Sequence, residues 1–334
     1  MRHAEEALQF LGFECAEGRT HAVIAPEWGA NVLSLTMWDS RLRWPLPLFE
    51  SVDPSSIAMA PTSYGMPLLA PTPGRVGKDQ SGAFRYRGKL YLVEPSRHGW
   101  ARSIPWSVAR RTSSSLTCVA ELEAERKPGL FPFRLRATHE VRIGHGVLAS
   151  RVLLENIGEH QSPANVGWHP YLHRPDECIV QFPAASYWEL SNDSEPTPTG
   201  RVLPVTPDLD FRSGRSLQGD QWDHVFTNLG NGAEIACSVR QRVICLTRQG
   251  ASVRASIVRE VLLDEPHEDR MQPIRNIQLY TPPGRRAVSL EPLSCPPDAI
   301  NLLANGADRG HVVELKPGES ASFAIRLHIQ AILE

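Results

Sequence analysis

Two residues that could exchange protons each stand immediately before a proline in this sequence. His169 lies in Gly-Trp-His-Pro-Tyr at 167–171, and Glu291 lies in Ser-Leu-Glu-Pro at 289–292. Because proline disfavours the α region for the residue before it, we expect both at a strand end or bend. Histidine titrates near neutral pH, and a partly apolar site raises the pKa of a carboxyl group. The two residues predict general acid–base chemistry, and the alternative for His169 is a structural histidine beneath aromatic rings.

Three further polar residues lie in segments rich in glycine, proline or aromatic residues. Arg75 ends a proline and glycine loop, His98 precedes a glycine, and Asp223 stands between a tryptophan and a histidine. A planar guanidinium can grip hydroxyls or a carboxylate, and a glycine lets a ligand approach the backbone closely. Each of the three also fits an ordinary turn, so their pattern alone leaves both interpretations open.

Two histidines and a carboxylate also form a ligand set for iron or zinc, which makes a metal site an alternative. Neither His98 nor His169, however, has a second ligand two residues away, as metal sites of this kind usually do. The chain also has no nucleotide-binding glycine loop, nucleophile elbow or His-Glu-x-x-His zinc motif. We therefore predict chemistry that uses no metal and no other cofactor.

The elements that must position these side chains are predicted to be β-strands. Apolar residues recur at every second position over 320–333, and a Gly-His-Gly turn at 144–146 joins two strand patterns into a hairpin. Helical patterns are confined to the first dozen residues and 298–304, and the stretch 191–220 predicts a loop because it is rich in Ser, Pro, Asp and Gly. Further strands are predicted at 20–25, 31–38, 84–93, 106–110, 115–123, 178–182, 235–239, 242–247, 252–263, 276–281 and 286–291.

Length, charge and cysteine pattern narrow the class of protein. No linker or clean repeat divides the 334 residues, so we predict a single all-β domain over 1–334. A formal net charge of −2 offers no basic excess for nucleic acid or a membrane surface. The absence of an apolar leader or spanning segment predicts a cytoplasmic location. The six cysteines contain no C-x-x-C pair, which favours free buried thiols.

Taken in order along the chain, these segments resemble the aldose 1-epimerases, or galactose mutarotase-like proteins. The resemblance extends from about Gly29 to the C-terminal end and rests on short motifs in a shared order and spacing. The motifs are Pro-Gly-Arg near 75, His-Gly at 98, Gly-Trp-His-Pro-Tyr at 167–171, Trp-Asp-His-Val-Phe at 222–226, and Ser-Leu-Glu-Pro with Pro-Asp-Ala-Ile-Asn at 289–301. The resemblance implies a large antiparallel β-supersandwich with an open cleft for a monosaccharide.

The same resemblance implies a role for each residue. His169 would be the general acid and Glu291 the general base in a reaction that opens and recloses a hexose ring, interconverting its α and β anomers without a cofactor. The groups that hold the sugar hydroxyls would be Arg75, His98 and Asp223. Independently of the resemblance, Trp168, Tyr171 and Trp222 could offer aromatic faces to the apolar C–H surface of the sugar. For each aromatic residue, packing in the core is the equal alternative.

Two other functions fit the same sequence. After His98 the chain reads Gly-Trp-Ala-Arg, which is closer to the hexose-6-phosphate epimerase branch than to the His-Gly-Gly that is common in the family. That branch needs a cationic pocket for phosphate, which Arg75, Arg97 and Arg102 could supply. The His-Pro-Tyr motif favours an unphosphorylated sugar, and we favour a free aldohexose. A non-catalytic monosaccharide-binding protein on this scaffold is the second alternative. The sequence carries no indication of oligomeric state.

Overall fold

The computed structural model describes residues 11–14, 20–39, 41–42, 44–123, 129–144, 146–217, 221–230, 234–246, 249, 252–264, 270–307 and 311–333. Within these residues, two antiparallel sheets contain most of the strands. The larger sheet has nine strands, in the spatial order Arg215–Ser216, Ile179–Gln181, Glu234–Leu246, Ser252–Asp264, Ser320–Leu333, Val147–Asn156, Arg134–Gly144, Ser115–Glu123 and Ser107–Arg111.

The second sheet carries most of the residues of interest. Over the described ranges it has eight strands, in the order Pro198–Pro204, Ser186–Leu190, Asp223–Thr227, Asn276–Tyr280, Ala287–Leu293, Gly167–Trp168 and Leu68–Leu69, with Tyr171–His173 also paired to Ala287–Leu293. The smaller sheets consist of Leu11–Glu14, Thr20–Ala25, Asn31–Met37 and Leu46–Pro47, of Ser162–Pro163 with Glu314–Leu315, and of Ala83–Tyr86 with Lys89–Leu92. The helices are Pro54–Met59 and Ala299–Ala304, with short 3-10 turns at Pro26–Trp28, Pro61–Ser63, Lys78–Gln80, Ala101–Ser103 and Pro207–Leu209.

Alternating burial explains why the long segments of the larger sheet form strands. In Val147–Asn156, every second residue is buried, and the same alternation covers most of Arg134–Gly144 and Ser320–Leu333. Side chains point to opposite faces of a strand in turn, so one face of each strand enters the core. Ala287–Leu293 of the second sheet is instead buried at every position, because it lies in the interior with both faces covered.

The two sheets share one core. A single cluster of buried apolar residues includes side chains from Ala22 to Ala331 and draws on both sheets. Trp168 of the second sheet donates its indole N–H to Ser150 of the larger sheet at 2.9 Å. This continuity supports the proposal that the chain forms one domain. In the described part of the chain, no helix is long and apolar enough to cross a membrane.

Most of the strand predictions are confirmed, including 115–123 and 320–333, and so is the helix near 298–304. The prediction of a loop over 191–220 is wrong at Pro198–Pro204, which forms a strand paired with Ser186–Leu190, because Val202 and Leu203 pair with Trp188 and Tyr187 despite the surrounding prolines. The helix Pro54–Met59 was not predicted. The N-terminal helix prediction falls on residues 1–10, outside the described residues, and Leu11–Glu14 is a strand.

The prediction of free buried thiols is confirmed for Cys118, Cys178 and Cys237. The side chain of Cys295 is also buried. Cys15 and the side chain of Cys245 lie outside the described part of the chain.

Candidate active site

The second sheet brings four polar residues into one cross-strand row. Asp223 is paired with Tyr280, Tyr280 with Ser289, and Ser289 with Tyr171. Residues directly opposite each other in neighbouring strands have their side chains on the same face of the sheet. The register of the strands, rather than any local motif, therefore assembles this part of the site.

A second row lies two residues further along the same strands. Gln278 is paired with Glu291, and each is two positions from a member of the first row. Residues two apart in a strand point to the same face of the sheet. The alternation of the strands therefore places Gln278 and Glu291 on the face that carries the first row.

His169 lies beside these rows, directly after the strand Gly167–Trp168. Its backbone N–H donates to the carbonyl of Pro67 at 3.0 Å, which fixes the extended backbone. Successive residues of extended backbone face opposite ways. Trp168 therefore enters the core, while His169 faces Glu291.

His169 and Glu291 are in direct contact. Nε2 of His169 lies 3.1 Å from Oε1 of Glu291, and the two side chains are 5% and 1% exposed. Nδ1 of His169 lies 3.0 Å from the hydroxyl of Ser289, which donates to the carbonyl of Pro170 at 2.9 Å. The imidazole also stacks on Tyr171 with 4.3 Å between ring centroids. These contacts hold the imidazole on three sides.

Burial shifts both members of this pair toward their uncharged forms. It lowers the pKa of His169 to about 3, and the positive charge of Arg102 acts in the same direction. It raises the pKa of Glu291 well above the usual range for a carboxyl group, and the negative charge of Asp223 adds to the rise. Both shifts favour a neutral imidazole beside a protonated carboxyl group, and transfer of that one proton to Nε2 gives the imidazolium and carboxylate that could act as acid and base.

His98 is held by the loop that carries Arg75. Its Nδ1 accepts the backbone N–H of Gly74 at 3.2 Å, and its own backbone N–H donates to the carbonyl of Gly74 at 2.7 Å. Burial, with the charge of Arg102, lowers the pKa of His98 well below its usual value, so the ring is neutral. Because Nδ1 accepts, the ring hydrogen is on Nε2, and His98 is a hydrogen-bond donor to whatever occupies the site.

Gly74 and Gly99 permit the segments that carry Arg75 and His98 to pack closely against neighbouring parts of the chain. Gly99 has φ of +64°, and a Cβ there would lie 2.2 Å from the carbonyl oxygen of Ala70. Gly74 has φ of +78°, and a Cβ there would lie 2.7 Å from the ring of Pro297. Any larger residue at either position would therefore push the loops apart and move His98 or Arg75.

Arg75 lies at the centre of a charged network. Its guanidinium bonds Asp223 at 2.5 Å and Glu195 at 2.9 Å, and Gln278 donates its amide to the other oxygen of Asp223 at 2.6 Å. Arg97 also bonds Glu195, at 2.5 Å. The carboxylates orient the two arginines and neutralise much of their charge.

Arg102 differs from the other arginines of the site. Within the described part of the chain no carboxylate lies within ion-pair distance of it, and its Nε is buried without a hydrogen-bond partner. Arg285, by contrast, bonds Glu50 through Nε at 3.0 Å and lies over the rings of Tyr64 and Tyr171 at 4.4 and 4.5 Å. Gly29 lets the turn that carries Arg102 come close, because a Cβ there would lie 2.4 Å from the Cα of Arg102.

A cavity of about 240 Å³ lies where these side chains meet. Eight of the candidate site residues singled out in the sequence line it, namely Arg75, Arg97, His98, Arg102, His169, Tyr171, Asp223 and Glu291. The prediction that Trp168 offers a face to a ligand does not hold, because Trp168 is 0% exposed and bonds Ser150 on the opposite side of the strand. Trp222 packs edge-on against Phe211 and does not line the cavity either.

Several lining residues carry no signal that sequence reasoning detected. Gln278 and Tyr280 lie in Asn-Ile-Gln-Leu-Tyr, where the polar–apolar alternation shows that they share a face, but only the register shows that Glu291 is opposite. Arg285 lies in a turn after two prolines. Ser289 contacts His169 but is not part of the cavity lining. It stands two residues before Glu291, and that spacing is the available sign that it shares the same face.

The remaining alternative from the sequence was a metal site. Among the residues that the structure describes, no group of three or more histidine, cysteine, aspartate or glutamate side chains is arranged to hold a metal ion. The His98 and His169 rings are 5.6 Å apart, and Nδ1 of His98 is engaged by a backbone N–H. The arrangement of these two histidines is therefore that of hydrogen-bonding groups around a cavity.

The chain is similar to the proteins of one family over nearly its whole length. The family model for aldose 1-epimerase matches residues 13–328, so the chain belongs to the aldose 1-epimerase family. It is 24% identical over 299 residues to an uncharacterised protein of Escherichia coli, YihR, with 86% of this chain and 84% of that protein covered.

Solved structures share the fold. A Synechocystis protein, Slr1438, superposes with a TM-score of 0.71 at 19% identity, covering 99% of this chain and 98% of that one. A galactose mutarotase-like protein from Clostridium acetobutylicum superposes with a TM-score of 0.69 at 16% identity, covering 98% and 99%. The predicted galactose mutarotase-like fold with large antiparallel sheets is thus confirmed.

Proposed function

We propose that this protein is an aldose 1-epimerase that interconverts the α and β anomers of a hexose. The observation that carries the proposal is the contact between His169 and Glu291, two buried groups of opposite acid–base character at the wall of a polar cavity. Membership of the aldose 1-epimerase family supports the reaction class. The resemblance in sequence supports the same two residues as acid and base.

The proposed reaction moves two protons and breaks one bond. With a cyclic hexose bound against the pair, its anomeric hydroxyl facing Glu291 and its ring oxygen facing His169, Glu291 accepts the proton of the anomeric hydroxyl as His169 gives one to the ring oxygen. The bond between C1 and the ring oxygen breaks, and the electron pair of the former O–H bond forms the carbonyl of an open aldehyde. Rotation about the C1–C2 bond and reclosure with the roles reversed yield the other anomer. Positioned acid and base groups each contribute about 10²- to 10⁴-fold.

The surrounding residues have the hydrogen-bonding capacity to hold the sugar. His98 offers a neutral N–H donor, and Asp223 offers carboxylate oxygens that are already oriented by Arg75 and Gln278. The Oε1 of Gln278 is buried without a hydrogen-bond partner among the described residues, so it is available as an acceptor for a hydroxyl. Tyr171 is stacked on His169 and contributes to the cavity wall.

Substitution of the base tests the proposal. We expect Glu291→Gln to reduce the mutarotation of α-glucose or α-galactose to the rate in buffer, because the amide cannot accept the anomeric proton. The matched control is Glu260→Gln, which alters a second histidine–glutamate pair, with His328, outside the cavity. Polarimetry measures the reaction, and calorimetric titration checks that the Glu291 variant still binds the sugar.

The outcomes separate the candidate functions. Unchanged mutarotation in Glu291→Gln would remove this residue from its proposed role. A wild-type protein that binds hexoses but accelerates the mutarotation of no aldose or aldose phosphate would instead be a monosaccharide-binding protein. Near-stoichiometric transition metal in elemental analysis of the purified protein would overturn the cofactor-free reaction.

A second candidate substrate, a hexose that carries an anionic group such as a 6-phosphate, is favoured by Arg102. This guanidinium lines the cavity, and the described residues offer it no carboxylate partner, unlike Arg75, Arg97 and Arg285. A buried charge without a partner is unfavourable, and a phosphate oxygen would supply one. The lining side chains include four arginines against two carboxylates, Asp223 and Glu291.

The choice between free and anionic hexoses is tested by substrate comparison. If the substrate is anionic, we expect a higher kcat/KM for glucose 6-phosphate than for glucose, and Arg102→Gln should remove about 10- to 100-fold of that preference, as for the loss of a hydrogen bond to a charged group. The rate on free glucose is the internal control for the integrity of the variant. Equal kcat/KM for both sugars in the wild type would support the free aldohexose.

A further inference from the structure

The hydrogen bonds of Ser289 determine where the hydrogen of the His169 ring lies. The Ser289 hydroxyl contacts the carbonyl oxygen of Pro170 at 2.9 Å and Nδ1 of His169 at 3.0 Å. A carbonyl oxygen only accepts, so the single hydroxyl hydrogen is directed to Pro170, and the serine oxygen is left to accept from the ring. The contact between Ser289 and His169 therefore requires a hydrogen on Nδ1.

The contact of the other ring nitrogen, Nε2, determines how many protons His169 and Glu291 must carry together. Nε2 lies 3.1 Å from Oε1 of Glu291. With the hydrogen on Nδ1, a neutral ring presents a lone pair at Nε2, and an ionised Glu291 would also present one. Two facing lone pairs at this distance repel, so the contact needs one further proton, carried by either the nitrogen or the oxygen.

We propose that Ser289 is a positioning residue that fixes a hydrogen on Nδ1 of His169 and so keeps one transferable proton between Nε2 and Glu291. Without the hydrogen on Nδ1, the contact would be satisfied by an Nε2–H beside an ionised carboxylate. Donation of that hydrogen would leave an imidazolate, which is a poor product of acid catalysis. With the hydrogen in place, Nε2 gives its proton to the ring oxygen and becomes neutral, while Glu291 gains the anomeric proton. The pair therefore holds the same number of protons before and after ring opening.

Ser289 is well placed for this role. It is 0% exposed and lies in Ala287–Leu293, where its backbone pairs with Tyr171 on one side and Tyr280 on the other. The strand that carries Ser289 also carries Glu291 two residues later, so one element positions both the base and the group that orients the acid. The other groups facing the His169 ring are Tyr171, Tyr280, His98, Arg97, Arg102 and Arg285.

The inference rests on the proposed function for its catalytic consequence, but its first test needs no sugar. Long-range ¹H–¹⁵N correlation spectra of the wild-type protein report which nitrogens of a histidine carry hydrogen. The chain has 12 histidines, and the spectrum of His169→Gln identifies the resonances of this one by their loss. We expect a protonated Nδ1 at His169. An unprotonated Nδ1 in the wild type would overturn the proposal, whatever the protein catalyses.

Ser289→Ala provides the second test. We expect kcat for mutarotation to fall about tenfold with KM unchanged, as for loss of one hydrogen bond, and an Nε2–H form of His169 to appear in the spectra. Ser294→Ala is the matched control, because Ser294 is also buried and accepts the N–H of Val166 rather than contacting His169. An unchanged kcat in Ser289→Ala, or the same fall in Ser294→Ala, would overturn the proposal. If the alanine variant fails to fold, the wild-type spectrum still decides it. Absence of mutarotation in the wild type would count against the proposed function alone.

Discussion

The molecule contains two histidine–glutamate pairs with the same separation and different surroundings. His328 and Glu260 are cross-strand neighbours in the larger sheet, 3.1 Å apart, with side chains 28% and 17% exposed. His169 and Glu291 are also 3.1 Å apart, but their side chains are 5% and 1% exposed and border a cavity. The first pair is partly open to solvent. The second is enclosed by protein neighbours, and this burial shifts the pKa values of His169 and Glu291.

The two histidines also face their glutamates through different ring nitrogens. His328 faces its glutamate through Nδ1, whereas His169 uses Nε2 and has Nδ1 engaged by Ser289. Contact distance alone therefore does not distinguish a surface pair from a proton-transfer site. Burial, the partner of the second ring nitrogen and an adjoining cavity make the distinction.

The largest effect should come from exchanging each histidine of the two pairs for glutamine. We expect His169→Gln to lower kcat for mutarotation by about 10²- to 10⁴-fold, because the ring oxygen loses its proton donor. His328→Gln should leave kcat within about twofold, since it removes a contact outside the cavity. Polarimetric rates of the two variants, compared with the wild type, measure the difference. Similar losses in both would show that the comparison is wrong and that the effect is a general one on folding.

A smaller effect, on stability and not on catalysis, is expected from His139, a buried histidine with no described contact to a glutamate. It is 2% exposed, bonds Ser150 at 2.8 Å, and burial lowers its pKa to about 4. In the unfolded chain the imidazole of His139 has a pKa of about 6.5. Between about pH 4 and pH 6.5 the unfolded state therefore binds more protons than the folded state. The stability contributed by neutral His139 is thus present above about pH 6.5 and lost as pH falls toward 4.

Urea unfolding at a series of pH values measures this contribution. From pH 7 to pH 4, we expect the free energy of unfolding of the wild type to fall by about 3 kcal/mol more than that of His139→Gln. His98 and His169 titrate in both proteins, so the difference between the two reports His139. If the free energies of unfolding of the two proteins change with pH in parallel, protonation of His139 in the folded state costs less free energy than its burial indicates.

Much of the fold could be predicted because it follows from local alternation. The strands 115–123 and 320–333 were recognisable because every second side chain enters the core. Pro198–Pro204 was not, since prolines and glycine interrupt its pattern and its stability comes from pairing with Ser186–Leu190. The information that makes it a strand lies in a neighbouring segment, not in its own residues.

The residues of the candidate site also divide into those that could be predicted from the sequence and those that could not. His169 and Glu291 stand in short motifs with prolines, and their contact accords with the predicted acid–base pair. Gln278 stands in ordinary strand sequence, and Ser289 begins the Ser-Leu-Glu-Pro motif without a sign of its role there; the cross-strand register brings both into the site. For Trp168 the sequence left a sugar-facing ring and core packing as equal alternatives. Adjacent residues in extended backbone face opposite ways, so the alternation from His169 indicates the core for Trp168, as the structure shows.

The hydrogen bond from Trp168 to Ser150 belongs to the interior part of the site, where substitutions are less tolerated than in the loops around the cavity. It ties the residue next to the proposed acid to the opposite sheet, and Glu291 lies in a strand buried at every position. Arg75, Arg102 and Glu195 lie instead in loops or short turns around the cavity. Loops tolerate substitution better than core strands do. We therefore expect that residues at the rim of the cavity can be exchanged to alter ligand preference, while the proposed acid–base pair stays fixed in the interior.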